Sequence, residues 1–298
     1  DRGALDDAQA RSLGDQRRGK LPLLRRLNAG NGKGGEFPAL FRRVHGMAPL
    51  ARRPHLGNNA RVQRGQHGPV DASEDPIVAY YDALAPNYDA DRFASSYGRY
   101  IDRQEQRLLK AWLPAGYGPV LDLCCGTGRL SHFATHGCDA SPASIAIARA
   151  RHPAKTFDLA DLACLPYPDA TFAALFCFHV GMHLGAAKIE ALFFEAARVL
   201  RPGGLFLFDI ASAVRRRLVR RAEGGWHGST SLSKSDLAVI GARAGLALTG
   251  THGIAMAPVH RLPGFMRTLV LPLDNLSCAA APQLASYLVA RFGKQARA

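Results

Sequence analysis

The residues best suited to chemistry fall close together. Val120-Leu-Asp-Leu-Cys-Cys-Gly-Thr-Gly-Arg129 runs from an apolar segment into a Gly-x-Gly turn. Gly126 and Gly128 carry no Cβ, so the backbone there can approach a ligand closely. Asp122 stands before the turn, and Asp139 follows 17 residues later, behind Gly137-Cys138. That interval from Asp122 is close to the spacing of roughly 20 residues at which an acid holds a ribose in an open α/β sheet. Asp161 comes next and is followed by Leu165-Pro-Tyr-Pro-Asp169. A helix expected over Arg129–Thr135 would point its unpaired N–H groups at the same place. Plainer roles exist for each acid: Asp139 suits a helix N-cap before Ser141 and Pro142, and Asp161 suits a turn. Four histidines could move a proton near neutral pH. They are His179 and His183 in Phe178-His-Val-Gly-Met-His183, His227 beside Trp226, and His260. His183, just past an apolar strand, is the candidate general base; its plainer role is a cap or a core hydrogen bond.

These residues need a scaffold, and the hydrophobic pattern supplies one from about Asp75. Pro76 to Tyr88 and Tyr97 to Leu113 carry helically spaced apolar residues. Pro114-Ala-Gly-Tyr-Gly-Pro119 breaks the chain, and Val120–Leu123 reads as a short strand. Pro142–Arg151 reads as a helix, Phe172–Phe178 as a strand, and Lys188–Leu200 as a helix ended by Arg201-Pro-Gly-Gly204. Leu205–Ile210 is a further strand closed by Asp209. Strands apolar on both faces, alternating with helices, predict a parallel sheet covered on two sides. Ser233-Lys-Ser-Asp236 has the form of a capping box before Leu237–Ala244, with Gly245 as its stop. Leu246–Met256 and Ser286–Phe292 look like the last two strands, around a partly helical Pro258–Ala285.

Composition sets outer bounds. The 298 residues are 47% hydrophobic, enough for a packed core. Thirty-eight Lys+Arg against 24 Asp+Glu give a formal net charge of +14. Residues 1–74 are basic and rich in Gly, Arg, Asn and Pro, with only Leu21–Leu27 and Phe37–Val44 as short apolar pieces; they read as a disordered extension. The ordered part is expected over 75–298, as an N-terminal helical lid (75–118), a ligand-binding core (119–212) and an acceptor-side region (213–298). The six cysteines form no CxxC pair and read as free thiols of a reducing, cytoplasmic compartment. No apolar run is long enough to span a bilayer.

Together these pieces resemble the class I S-adenosylmethionine-dependent methyltransferases, and within them the small-molecule group that includes the ubiquinone/menaquinone biosynthesis enzymes. The resemblance is carried by Tyr81-Asp-Ala-Leu-Ala-Pro-Asn-Tyr-Asp89, Leu121–Arg129, Gly137-Cys-Asp-Ala-Ser-Pro142, Asp161 with Leu165–Asp169, and Arg198-Val-Leu-Arg-Pro-Gly-Gly204, in family order over about residues 77–212. It implies a Rossmann-like, doubly wound, mostly parallel seven-stranded sheet with helices on both faces. It implies S-adenosyl-L-methionine as cofactor and methyl transfer by in-line displacement to a small-molecule acceptor. The roles it implies are specific. Asp122, Cys124, Gly126, Thr127 and Gly128 would lie along the methionine part, and Asp139 would take both ribose hydroxyls with Ala140 beside it. Asp161 and the Leu162 N–H would hold the adenine, Phe178 would line the cleft, and Tyr81 and Tyr88 would sit in the lid. Three departures stand out: Cys124 occupies the place of the first turn glycine, only 10 residues separate Gly128 from Asp139, and Ala173 replaces a common acid after Phe172. Two other readings stay open. A dinucleotide-dependent oxidoreductase would share the sheet, although its third glycine is Ser131 here. A catalytically inactive cofactor binder would share everything but turnover. Nucleic-acid methylation is disfavoured by Cys177-Phe-His-Val180 after the fourth strand, and no metal site is expected.

Overall fold

The computed structural model describes residues 75–113, 116, 118–219, 228 and 230–295, within a compact unit spanning Arg64–Ala298. The basic extension with its two apolar pieces lies outside the described residues, as do Trp226 and His227.

Three helices open the unit: α1 (Pro76–Leu84), α2 (Tyr88–Phe93) and α3 (Ser96–Trp112). The α/β part follows as β1 (Val120–Leu123), β2 (His136–Asp139), α4 (Pro142–Arg151), β3 (Thr156–Leu159), β4 (Phe172–Cys177), α5 (Ala186–Val199) and β5 (Leu200–Ala211). Then come α6 (Ala213–Leu218), α7 (Lys234–Arg243), β6 (Leu246–Ile254), α8 (Gly264–Ala280) and β7 (Tyr287–Lys294). The seven strands lie in the order β3-β2-β1-β4-β5-β7-β6. All pairings are parallel except those of β7, which runs antiparallel to both neighbours.

The central strands are apolar on both faces because both faces are covered. All six residues of β4 are buried. On one face α5 and α7 contribute Leu192, Phe193, Leu237 and Ile240 to the core. On the other, α3 contributes Ile101, Leu108 and Leu109, with Val270 and Leu271 of α8 packed against the same cluster. The capping box at α7 forms, with Ser233 accepting from the Asp236 N–H and Asp236 accepting from the Ser233 N–H.

The structure departs from the sequence reading, or adds to it, in four places. The helix expected over Arg129–Thr135 is a single 3-10 turn, Ser131–Phe133. A crossover needs about 10–12 residues including its helix. The glycine turn uses much of the 12 residues between β1 and β2. Leu130 and Ala134 pack beneath α3 in the same cluster, so a lid helix covers that face. The helix before Arg201-Pro-Gly-Gly204 does end there, at Val199, but the stretch itself forms the irregular start of β5, where the register against β4 shifts between Phe172 and Ala174. β3 and α6 carried no clear pattern: β3 is an edge strand with Leu159 exposed, and α6 is only six residues.

A buried polar bridge ties α3 to α8. The Tyr100 hydroxyl donates to Asp274 at 2.7 Å and Gln104 Nε2 donates to it at 3.0 Å, while Ala257 N donates to the other carboxylate oxygen at 2.6 Å. Removing the acceptor strands the buried Tyr100 hydroxyl and the half-buried Ala257 N–H, and leaves Gln104 Nε2 with Asn275 alone. Asp274→Ala should therefore cost about 3 kcal/mol, read as a lower urea midpoint; a loss well below ~1 kcal/mol would show that the bridge does not hold α8 in place.

Candidate functional site

The strand order reverses between β1 and β4, and a cleft opens there beyond the carboxyl ends of the strands, where α/β sheets bind ligands. It measures about 1200 Å³ including its open mouth. Its floor is the β1 turn, its walls come from the ends of β2, β3 and β4, and its roof is α1 and α2.

The turn is a run of left-handed backbone. Cys124, Gly126 and Gly128 have φ of 58°, 54° and 78°. A Cβ added at Gly126 would meet nothing within 4 Å. Glycine is therefore favoured at 126 by conformation and not by crowding. Cys124 adopts the same conformation with a side chain, which costs roughly 1–2 kcal/mol. Its thiol is held in the core beside Cys177.

Asp139 closes β2 and is locked to the turn. Its Oδ2 accepts from the Gly126 N–H at 2.8 Å and its Oδ1 from the Ser141 N–H at 2.9 Å. The N-cap of α4 is Ser141, whose hydroxyl accepts from Ser144 N, so Asp139 does not cap that helix. Burial raises the Asp139 carboxyl above its usual range, against the pull of those two N–H groups. Asp122 lies deeper in β1, where burial pushes its carboxyl up to about 7 despite the Ser131 hydroxyl at 2.6 Å and the nearby Arg129 charge. Asp161 accepts from Ala163 N at 2.7 Å, a turn role, and with Leu162 and Ala140 it also lines the cleft. Phe178 is buried in the wall.

The lid is fastened by acids that the sequence pattern did not single out. Asp82 of α1 accepts from the Ser141 hydroxyl at 2.6 Å and from Ala143 N at 2.9 Å, at the N-terminus of α4. Asp89 of α2 accepts from the Thr127 hydroxyl at 2.9 Å and pairs with Arg151. The Thr127 side chain thus serves the lid. Tyr81 and Tyr88 meet edge to face, 5.9 Å apart, and both border the cleft.

His183 has both ring nitrogens engaged. Nδ1 accepts from the Gly228 N–H at 3.0 Å, which places the proton of a neutral ring on Nε2. Nε2 lies 3.0 Å from the Tyr81 hydroxyl and so donates to it. His179 belongs to a buried charge cluster. Its Nε2 meets Glu105, which also pairs with Arg129, and its backbone N–H donates to Asp209 at 2.7 Å. Burial alone would lower the His179 pKa, but Glu105 outweighs it and the pKa is raised. Burial pushes Asp209 up to about 6, and its Oδ2 has no hydrogen-bond partner among the described residues. His260 lies in a 3-10 turn and does not border the cleft. Among the described residues, no group of three His, Cys, Asp or Glu side chains is placed to hold a metal ion, and no helix is long and apolar enough to cross a membrane.

Comparison with known proteins converges on this region. Residues 120–204 match a family model described as "Methyltransferase domain". The chain is 28% identical over 167 residues to a demethylmenaquinone methyltransferase of Symbiobacterium thermophilum, covering 49% of this chain and 63% of that protein. It is 33% identical over 100 residues to a malonyl-[acyl-carrier protein] O-methyltransferase of Serratia marcescens, covering 32% of this chain and 38% of that one. It thus spans less than two thirds of these relatives. A S-adenosylmethionine-dependent methyltransferase structure from Thermotoga maritima superposes with a TM-score of 0.56 at 17% identity, over 74% of this chain and 100% of that one, and shares its fold.

The buried acid gives a pH signature. Asp122 has a folded pKa of about 7 against about 3.9 unfolded. The folded state therefore binds the extra proton between those values, and stability falls as pH rises from about 4 to about 7. Asp122→Asn removes this contribution. The variant should gain on the order of 2 kcal/mol relative to wild type between pH 5 and pH 8, measured by thermal melts without cofactor; parallel curves would contradict the shift. At the turn, Cys124→Val should lose about 1–2 kcal/mol more than Cys124→Gly in chemical denaturation, because a β-branched residue resists left-handed backbone.

Proposed function

We propose that this chain, which carries a class I S-adenosylmethionine-dependent methyltransferase domain over residues 120–204, transfers the cofactor methyl group to a small-molecule acceptor. One observation supports the reading above the rest: Asp139, at the end of β2, is held by the turn backbone on the border of an acid-lined cleft. The fit to the cofactor is chemical. S-adenosylmethionine brings a sulfonium that is already an activated methyl donor, and it carries positive charge. Asp122, Asp139, Asp161 and Asp89 all border the cleft, which suits a cation. A dinucleotide is less well served. Its pyrophosphate calls for a helix N-terminus after the glycine turn, and here only a 3-10 turn follows.

In this reading Asp139 accepts hydrogen bonds from the two ribose hydroxyls, with the Ala140 backbone beside them. Asp122 sits behind the turn and offsets the methionine ammonium. Cys124, Gly126, Thr127 and Gly128 present backbone to the methionine part. Asp161 and the Leu162 N–H hold the adenine edge. Phe178, Tyr81 and Tyr88 wall the cleft and exclude water, which strengthens every charge interaction inside it. His183 acts through Tyr81: its Nε2–H fixes the phenol over the cleft, and with Nδ1 engaged by the Gly228 N–H the imidazole serves as a positioning group rather than as a proton acceptor. Rate enhancement then rests mainly on aligning acceptor and methyl group, and proximity alone can supply about 7–11 kcal/mol of a barrier.

The two relatives are named for unlike acceptors, a demethylmenaquinone and a malonyl group on a carrier protein. The acceptor here is accordingly proposed only as a small molecule, free or tethered, with no part for nucleic acid. Six cysteines, all free thiols, support a reducing compartment such as the cytoplasm.

Calorimetric titration tests the cofactor assignment. Wild type should bind S-adenosylmethionine and not NADH. Asp139→Ala should bind it at least about 30-fold more weakly, the worth of two charge-assisted hydrogen bonds, with the fold retained by circular dichroism and a melting temperature lowered by the loss of the Gly126 and Ser141 contacts. Unchanged affinity in that variant would remove Asp139 from the site, and a preference for NADH would reverse the reading. Label passing from methyl-labelled cofactor to a component of cell extract distinguishes an enzyme from an inactive binder.

A further inference from the structure

Helix α8 turns an uncharged, apolar face outward. Phe265, Leu269, Leu273 and Leu276 recur every three or four residues, so they form one stripe, and they are 74%, 74%, 68% and 68% exposed. The two charged residues of the helix are turned away from it. Arg267 bonds the Val259 carbonyl and the Ser96 hydroxyl, and Asp274 is buried against Tyr100 and Gln104. Apolar patches of this kind mark sites of contact with a protein or a membrane.

The neighbouring helix narrows the choice. α3 is bound to α8 through Tyr100, Gln104, Asp274 and Asn275. Along its exposed side stand Arg99, Arg103, Arg107 and Lys110, one per turn. Its acids face elsewhere: Asp102 and Glu105 both pair with Arg129. Two helices packed against each other thus carry, on their exposed sides, a row of cations and an apolar stripe, on a chain of net charge +14. A second copy laid on the same face would bring two such rows of cations together, with no exposed acid on either helix to meet them. An anionic headgroup layer over an acyl interior matches both features at once.

We propose that the α3–α8 face is a docking surface for an anionic lipid bilayer. The apolar stripe enters the headgroup boundary, and the α3 cations meet the lipid phosphates. The surface also adjoins the cleft. Arg267 of α8 bonds Ser96 at the start of α3, and α2, which ends just before it at Phe93, lines the cleft roof. Docking would set the lid beside the lipid surface.

Vesicle co-sedimentation of the full chain tests the proposal independently of methyl transfer. Pure phosphatidylcholine vesicles are compared with vesicles holding about one third phosphatidylglycerol. Wild type should sediment with the second and not the first, and release at high salt. Leu269→Glu/Leu273→Glu should abolish binding. Arg103→Glu/Arg107→Glu should weaken it more than tenfold, since each lost cation weakens partitioning about fivefold. These side chains are exposed, so melting temperature should hold and unfolding would be visible if it occurred. Three results would overturn the proposal: no binding by wild type, binding indifferent to both double variants, or a concentration-dependent dimer that Leu269→Glu/Leu273→Glu dissociates in a protein that ignores vesicles.

Discussion

Two carboxylates at the end of an apolar sheet set the terms for the rest of the molecule. Asp122 is 4% exposed inside a strand whose other residues are all buried and hydrophobic. Such a group is costly to ionise without partners. The fold supplies some of them: a serine hydroxyl for Asp122, two backbone N–H groups for Asp139, and Arg129 close by. The compensation is incomplete, since burial still raises both groups. A site that holds underpaired acids at a cleft is arranged for a positively charged ligand, and their instability in isolation is the other side of that selectivity.

The same constraint explains the lid. Asp82 and Asp89 tie α1 and α2 to the start of α4 and to the glycine turn, across gaps of about 60 and 40 residues in sequence. Each of these acids bonds a group beside the glycine turn: Ser141 follows Asp139 by two, and Thr127 lies between the two turn glycines. Displacement of either helix would disturb the turn as well as open the cleft. Roof and floor are therefore one hydrogen-bonded unit.

Sequence made the cofactor half legible because its signals are local. A buried strand, a glycine turn and an acid after the next strand announce themselves by residue type and spacing, and the topology of seven strands followed from the family resemblance. What escaped was set by distance or by the absence of a pattern. The helix expected after Gly128 gave way to a 3-10 turn because α3, from earlier in the chain, already covers Leu130 and Ala134. β3 shows no alternation because it is an edge strand of four residues. Asp82 and Asp89 stood in the quoted lid motif without assigned roles, since their partners lie 38 to 61 residues away. Spacing placed His183 near the acceptor side, but only the Gly228 contact reveals which nitrogen bears its proton. The exposure of α8 was hidden for a similar reason: an apolar stripe reads the same whether it faces a core or solvent.

The two halves of the cleft thus differ in kind. The glycine-turn side is built from backbone and short acids on consecutive β-α connections, so its geometry is fixed by the sheet itself. The opposite side is assembled from the α1–α2 roof, the β4 end and the region after β5, whose partners are side chains from distant elements: Tyr81 on His183, Glu105 on His179, Asp209 behind them. Sheet backbone tolerates substitution of most side chains without moving, whereas a site made of interlocking side chains changes shape with each one. A scaffold divided in this way can hold one half of the cleft constant while the other changes shape through few positions, Tyr81, His179 and His183 among them.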